Sequence, residues 1–190
     1  MKINTMNIIL GSQSPRRKEL LEGMGFPFTT VIIHADESFP TSLKGAEIPL
    51  YISRAKARAY KANLQPNQLL ITADTIVWVD GEQLGKPADE ADAERMLRLL
   101  SGKTHQVFTG VTLTSLEKET SFTDATDVTF RTLTDEEIRH YVQVYQPLDK
   151  AGSYGIQEWI GYVACSALRG SYFNVMGLPT EKLYEALLDF

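Results

Sequence analysis

Cysteine is nearly absent: Cys165 is the single one in 190 residues. That excludes an internal disulfide and a zinc cluster built on cysteines. It suits a reducing interior, so the expectation is a cytoplasmic protein. Long apolar runs are lacking too. No stretch approaches the roughly 20 apolar residues that span a bilayer. The opening MKINTMNIILGS has an apolar run of only three residues, too short for a signal-peptide core. Nor is there a basic excess: 19 Lys and Arg stand against 24 Asp and Glu, a net charge of −5. General nucleic-acid binding needs a broad basic face and is disfavoured, whereas a local basic pocket is not. The three histidines, His34, His105 and His140, are far apart and lack HExxH spacing, which argues against a histidine-bound zinc. No GxSxG nucleophile elbow occurs. SGKT at 101–104 looks like the tail of a phosphate-binding loop, but Leu97 stands where the earlier glycine belongs and a helix precedes it.

What is present is globular material, 43% hydrophobic and 23% charged. It suffices for a real core in one domain over 1–190, with room for two lobes. NIILG (7–11) reads as a short buried strand. A helix follows from Ser14, with Pro15 at its first position and Gly25 at its exit. FPFTTVII (26–33) reads as a second strand. Residues 47–62 read as a helix with Leu50, Ile52, Ala55 and Ala59 partly on one face. QLLITADTIVWV (68–79) is a β-rich run, and Asp80-Gly81 signals a hairpin back through EQLGKP. Residues 89–100 form an amphipathic helix that stops at Gly102, with Ala93, Met96, Leu97 and Leu100 aligned. Strands at 105–114 and 119–130 pair as a hairpin. Thr134 and Glu137 make a capping box for a helix over 135–145. The glycine-rich DKAGSYGIQ (149–157) precedes a strand near 161–168, the irregular loop RGSYFNVMGLP and a terminal helix from Pro179-Thr180. Strands and helices interleave without a strict βαβ rhythm, so an α/β fold with a mixed sheet is expected.

Three segments carry chemistry. In GSQSPRRKELLEGMG, Arg16, Arg17 and Lys18 fall in the first turn of a helix, where unpaired N–H groups already make positive charge unfavourable. A Ser-rich turn, a helix N-terminus and two guanidinium forks make an anion site for phosphate or polyphosphate. The competing reading is that these side chains reach into water or are neutralised by Glu19 and Glu22. In ADTIVWVDGEQLGKP, Asp74 interrupts an apolar strand, where a carboxylate is costly to bury without a metal or lysine. Lys86 lies across the hairpin and is able to point to the same end. The alternative is an edge strand with Asp74 at its solvated beginning. Asp36 and Glu37, taken alone, read as loop surface. In DKAGSYGIQ, Gly152 and Gly155 suit positive φ or close backbone approach to a ligand, and equally a plain tight loop.

In sequence order, GSQSPRRKELL, RAKARAY, ADTIVWVDGEQLGKP, MLRLLSGKTHQVFTGV, DVTFRTLTDEEIRHYV, DKAGSYGIQ and GSYFNVMGLP resemble the motifs of the Maf family of nucleoside-triphosphate pyrophosphatases, over almost the whole chain. The resemblance implies a mixed twisted sheet with flanking helices and a deep cleft between two lobes, similar to the inosine triphosphate pyrophosphatase-like fold. It implies cleavage of a nucleoside triphosphate to monophosphate and pyrophosphate, assisted by a divalent cation, magnesium or in its place manganese. DKAGSYGIQ resembles the branch acting on dTTP and UTP. Other readings are the 7-methyl-GTP branch, a broad house-cleaning pyrophosphatase, and a nucleotide-binding cell-division regulator with little turnover. A homodimer is compatible with the resemblance, but no residue pattern identifies its interface.

By the same resemblance Ser14, Arg16, Arg17, Lys56 and Lys86 bind substrate, the cations holding the triphosphate. Thr75 and Gln157 contact the pyrimidine, with Arg16 also at a position tied to base choice. Glu37 and Asp74 hold the metal directly or through water, and Asp74 is the proton acceptor. A free aspartate, with pKa about 4, is a weak base at neutral pH. The expectation is therefore that the metal acidifies the attacking water or that neighbouring carboxylate charge raises the basicity of Asp74. Two departures stand out. Gly11 replaces a frequent alanine, and Glu158-Trp159 stand where a glycine usually follows Gln157.

Overall fold

In the computed structural model, which describes residues 6–190, the chain opens on β1 (Asn7–Leu10) with three of its four residues buried. Residues 1–5, part of the leader reading above, lie outside the described residues. Helix α1 (Pro15–Gly23) starts as its sequence directs: Ser14 is the N-cap, its hydroxyl accepting from Arg17 N–H at 3.5 Å, and proline leads the first turn. Next come β2 (Phe28–Thr30), α2 (Glu47–Lys61), β3 (Gln68–Val79), β4 (Glu82–Leu84), α3 (Glu90–Leu100), β5 (Thr104–Thr114) and β6 (Glu119–Phe130). The chain closes with α4 (Asp135–Tyr145), two 3₁₀ turns at 147–153, α5 (Trp159–Ala164), β7 (Cys165–Arg169), α6 (Tyr172–Met176) and α7 (Thr180–Leu188). No helix among the described residues is long and apolar enough to cross a membrane.

The seven strands form a mixed sheet in the order β2-β1-β3-β5-β6-β7, with β4 paired to β3. β1 runs parallel to β2 and β3, while β4 is antiparallel to β3 and β7 to β6. Asp80 and Gly81 both adopt positive φ, as a tight two-residue hairpin between β3 and β4 requires. Side-chain bonds Thr104–Thr129, Gln106–Asp127 and Thr112–Ser121 climb β5 while descending β6, the expected antiparallel hairpin.

The chain divides into two compact units. One comprises the residues up to Asp74 with 109–124 and Gly177–Phe190; the other comprises Thr75–Phe108 and Ala125–Met176. In the first, Ile9, Leu64 and Leu70 form a core against which Val31, Ile33 and Tyr60 pack. The buried residues of α2 are Ile48, Pro49, Ile52, Ser53 and Ala57. That differs from the expected face: Leu50 and Ala55 are half-buried and Ala59 is exposed. The reason is Gly110 on β5, where a Cβ would lie 2.4 Å from Leu50 N and 2.5 Å from the Pro49 carbonyl. Backbone sits on backbone there, which turns the Pro49–Ile52–Ser53–Ala57 stripe inward. Lys56, four positions after Ile52 and three after Ser53, lies on the same side of the helix.

In the second unit α3 buries Ala93, Met96, Leu97 and Leu100 as its period predicts. It packs on α4 and on the turn at Ala151–Ser153. The capping box of α4 forms in full between Thr134 and Glu137. Three expectations need correction. The second strand is confined to 28–30, with no regular structure at 31–33. The strand expected near 161–168 is a helix to Ala164 before β7 begins at Cys165. Gly161 permits that turn, since a Cβ there would strike the Ile156 carbonyl oxygen. Lastly, the loop after Arg169 holds α6, anchored by buried Asn174, whose amide donates to Val107 O and Thr126 Oγ1 at 3.0 Å each. Such an anchor leaves no local signal.

Candidate functional site

The first unit gathers a charged group around one lysine. Lys56 Nζ donates to Asp74 Oδ1 at 2.9 Å and stands 3.2 Å from Glu37 Oε1. The Lys56 and Asp74 side chains are 13% and 14% exposed, and Glu37 is 56% exposed. Asp74 is therefore not at a solvated strand end. The lysine offsets part of the carboxylate's cost of burial. The pair Asp36-Glu37 divides its duties. Asp36 Oδ1 accepts from Ser38 N–H at 2.9 Å, and those Ser38 bonds hold its carboxyl below the usual range. Glu37 turns to Lys56 instead.

The cations at the head of α1 also part ways. Lys18 pairs with Glu22 along the helix at 3.8 Å, both exposed, which is the plain reading of a solvated face. Arg17 does otherwise. Its Nε donates to Gly177 O at 2.7 Å and its Nη1 to Ser12 Oγ at 3.4 Å. Burial lowers its pKa and Asp74 raises it; Arg16 lowers it and Glu37 raises it. Arg17 therefore senses both carboxylates. Ser14 and half-buried Arg16 share the same helix start. The sequence reading did not find Ser12 and the Gly177 carbonyl as partners of Arg17. The only sequence hint was the Gly-Leu-Pro turn, where Gly177 takes φ of 117°.

Burial is the largest influence on Asp74 and raises its pKa; Lys56 and Arg17 oppose it, and the like charge of Glu37 adds a final smaller push upward. Neighbouring carboxylate charge, one of the two expected sources of Asp74 basicity, does contribute, yet loss of water is the greater cause. As for a metal, no group of three or more His, Cys, Asp or Glu that could hold one occurs among the described residues. Glu37 and Asp74 nevertheless aim oxygens at one positive centre, Lys56 Nζ. Two carboxylates with remaining ligands from water and phosphate are how a hard magnesium-type ion is ordinarily held. The donor set fits such an ion.

The other predicted residues belong to the second unit. Thr75 is half-buried and Lys86 exposed, two residues past Leu84, which pairs with Val77. Gly152 N–H donates to Gly85 O at 3.0 Å, and at Gly152, with φ of 69°, a Cβ would lie 2.7 Å from Val77 Cγ2. The β3–β4 hairpin thus lies against the glycine-rich segment. Gln157 is half-buried, and its Oε1 is buried with no hydrogen-bond partner. A buried acceptor left open is costly unless something supplies a donor. The Gly11 departure has a local cause: a Cβ there would meet Ile33 Cδ1 at 2.5 Å.

A family model described as Maf-like protein matches residues 7–190. A dTTP/UTP pyrophosphatase of Bacteroides thetaiotaomicron is 58% identical over 97% of this chain and 96% of its own. Another of that name from Phocaeicola vulgatus is 56% identical over 95% and 94%. A third, from Flavobacterium psychrophilum, is 46% identical over 99% and 96%. Among solved structures, the Staphylococcus aureus Ham1 protein aligns at a TM-score of 0.46 and 15% identity over 65% of this chain and 71% of that one, too loosely to inform either fold or activity.

Proposed function

This chain belongs to the Maf family, and on that premise we propose that it hydrolyses dTTP and UTP to the nucleoside monophosphate and pyrophosphate, in the cytoplasm and with a divalent cation. The observation that carries the reading is the Lys56 ammonium shared by Asp74 and Glu37, with the Arg17 guanidinium in their field. Phosphoryl transfer asks a protein mainly for positioning and charge neutralisation. Arg16, Arg17 and Lys56 supply positive charge to the triphosphate, with Ser14 at the same helix start. Lys86 has the phosphate role that the family resemblance implies.

Glu37 and Asp74 would hold the cation, which when bound neutralises phosphate charge and acidifies coordinated water. Asp74 takes the proton from the attacking water, aided by the burial that raises its pKa. Lys56 fixes the carboxylate by its 2.9 Å bond and opposes the rise in its pKa. Gln157 and Thr75 read the base. The open Gln157 Oε1 asks for a donor, and uracil and thymine carry one at N3 where cytosine has an acceptor.

The test is pyrophosphate release from dTTP, UTP, CTP and 7-methyl-GTP, with and without magnesium, by the wild type and by Asp74→Asn. Metal-dependent turnover should favour dTTP and UTP. Asp74→Asn should lower kcat by about a hundredfold or more with an unchanged thermal midpoint. A preference for 7-methyl-GTP, or an Asp74→Asn variant with most of its activity, would overturn the assignment.

A further inference from the structure

Glu158 follows Gln157 and precedes α5 as its N-cap residue, yet its side chain makes no cap bond. An acid at that position normally accepts from the first N–H groups of its helix. Here both oxygens are committed elsewhere. Oε2 accepts from the buried Tyr141 hydroxyl, and Oε1 lies 3.1 Å from Lys150 Nζ. The Tyr141 oxygen in turn accepts from Gly155 N–H at 3.0 Å. Tyr141 is fully buried and the Lys150 side chain is 9% exposed, so this network is worth more than a solvated pair of the same groups.

The backbone closes the same loop. Glu158 N–H donates to Gly155 O at 3.0 Å and Gly161 N–H to Glu158 O at 2.9 Å. Gly155 has no side chain because a Cβ would sit 2.8 Å from the Glu158 carboxyl carbon. Trp159 adds an edge-on contact with His140, their rings 5.1 Å apart. Glu158 and Trp159 therefore both grip α4.

From this we infer that Glu158 is a positioning residue: by clasping Tyr141 and Lys150 it holds residues 155–158 in one arrangement and aims the Gln157 amide at the pyrimidine edge. The inference rests on the dTTP/UTP reading. It goes further in naming what fixes the base-reading group. Gln157 must be preorganised, because an amide on a mobile loop loses affinity to ordering before it can discriminate. A site that offers a buried acceptor then rejects a base unable to satisfy it.

The experiment compares kcat and KM for UTP and CTP in the wild type, Glu158→Gly, Glu158→Gln, Tyr141→Phe and Gln157→Ala, with a thermal midpoint for each. Glu158→Gly should raise KM for UTP roughly tenfold while kcat stays within about twofold, as expected for lost preorganisation. The preference for UTP over CTP should fall toward that of Gln157→Ala. Glu158→Gln keeps an acceptor for Tyr141 and should restore most of the preference. Should Glu158→Gly fail to fold, Tyr141→Phe decides on the same ratio, since it removes only the hydroxyl that bridges Glu158 and Gly155. Wild-type turnover of UTP with an unchanged UTP-to-CTP ratio in the variants, even at lower thermal midpoints, overturns the positioning role alone. No wild-type turnover of UTP overturns the activity reading and this role with it.

Discussion

At Lys56 one ammonium answers two carboxylates, and the balance among them has a kinetic signature. Burial raises the pKa of Asp74, Lys56 lowers it by charge and by a hydrogen bond, and Glu37 raises it slightly. Removing the lysine leaves only Arg17 to oppose burial. In Lys56→Met the acidic limb of the kcat/KM profile for UTP should therefore move to higher pH, beyond the drop in kcat/KM expected from lost phosphate contact. An acidic limb at the wild-type position would mean that ionisation of Asp74 does not govern turnover. Asp74 stood out in the sequence, because a carboxylate inside LLITADTIVWV either has a partner or lies at a solvated strand end, and its burial decides for the partner. Glu37 was apparent only through the family resemblance, since beside Asp36 it looks like any acidic loop pair. What separates the two is a bond from Ser38 that occupies Asp36 and leaves Glu37 to Lys56.

At the scale of elements, α2 matters most, because its docking decides where Lys56 goes. Its first turn rests on Gly110 with no room for a methyl group: a Cβ would fall 2.4 to 2.5 Å from backbone atoms of Pro49 and Leu50, which cannot rotate away. Gly110→Ala should cost about 1–3 kcal/mol, the usual penalty of overpacking. By displacing α2 it should also lower kcat for UTP. Thermal midpoint and kcat should fall together, and if neither does, the helix has slack that this packing denies. The expected apolar face of α2 failed for the same reason. Its sequence offers several faces rich in alanine and aliphatics, and periodicity alone does not choose among them. α3 and α4 came out as expected because each has a single apolar stripe and a side-chain cap. α5 escaped notice because its start depends on a glycine tucked against the Ile156 carbonyl, a contact without helical period.

For the molecule as a whole, acid stability should report on His105. Its ring is buried, with Nε2 2.7 Å from the Tyr154 hydroxyl and Phe130 edge-on at 5.0 Å. Burial pulls its pKa from 6.5 down to about 4. Between those values the unfolded chain binds a proton that the folded chain refuses. The contribution is complete above pH 6.5 and is lost as pH falls toward 4, by roughly 3 kcal/mol in all. Urea unfolding of wild type and His105→Gln across that range should show the wild type losing more stability on acidification; parallel curves would place the proton elsewhere. Several features were written into the sequence alone: the strands and helices with caps or one clear stripe, and the β3–β4 hairpin at Asp80-Gly81. Each depends on hydrogen bonds and sterics within a few residues, so local order suffices to specify it. Tertiary structure decided the rest. It set the face of α2, the meeting of Lys56 and Asp74 across 18 positions and the hold of Arg17 on a carbonyl 160 positions away. Desolvation and charge pairing depend on what stands nearby in space, and only the folded chain determines that.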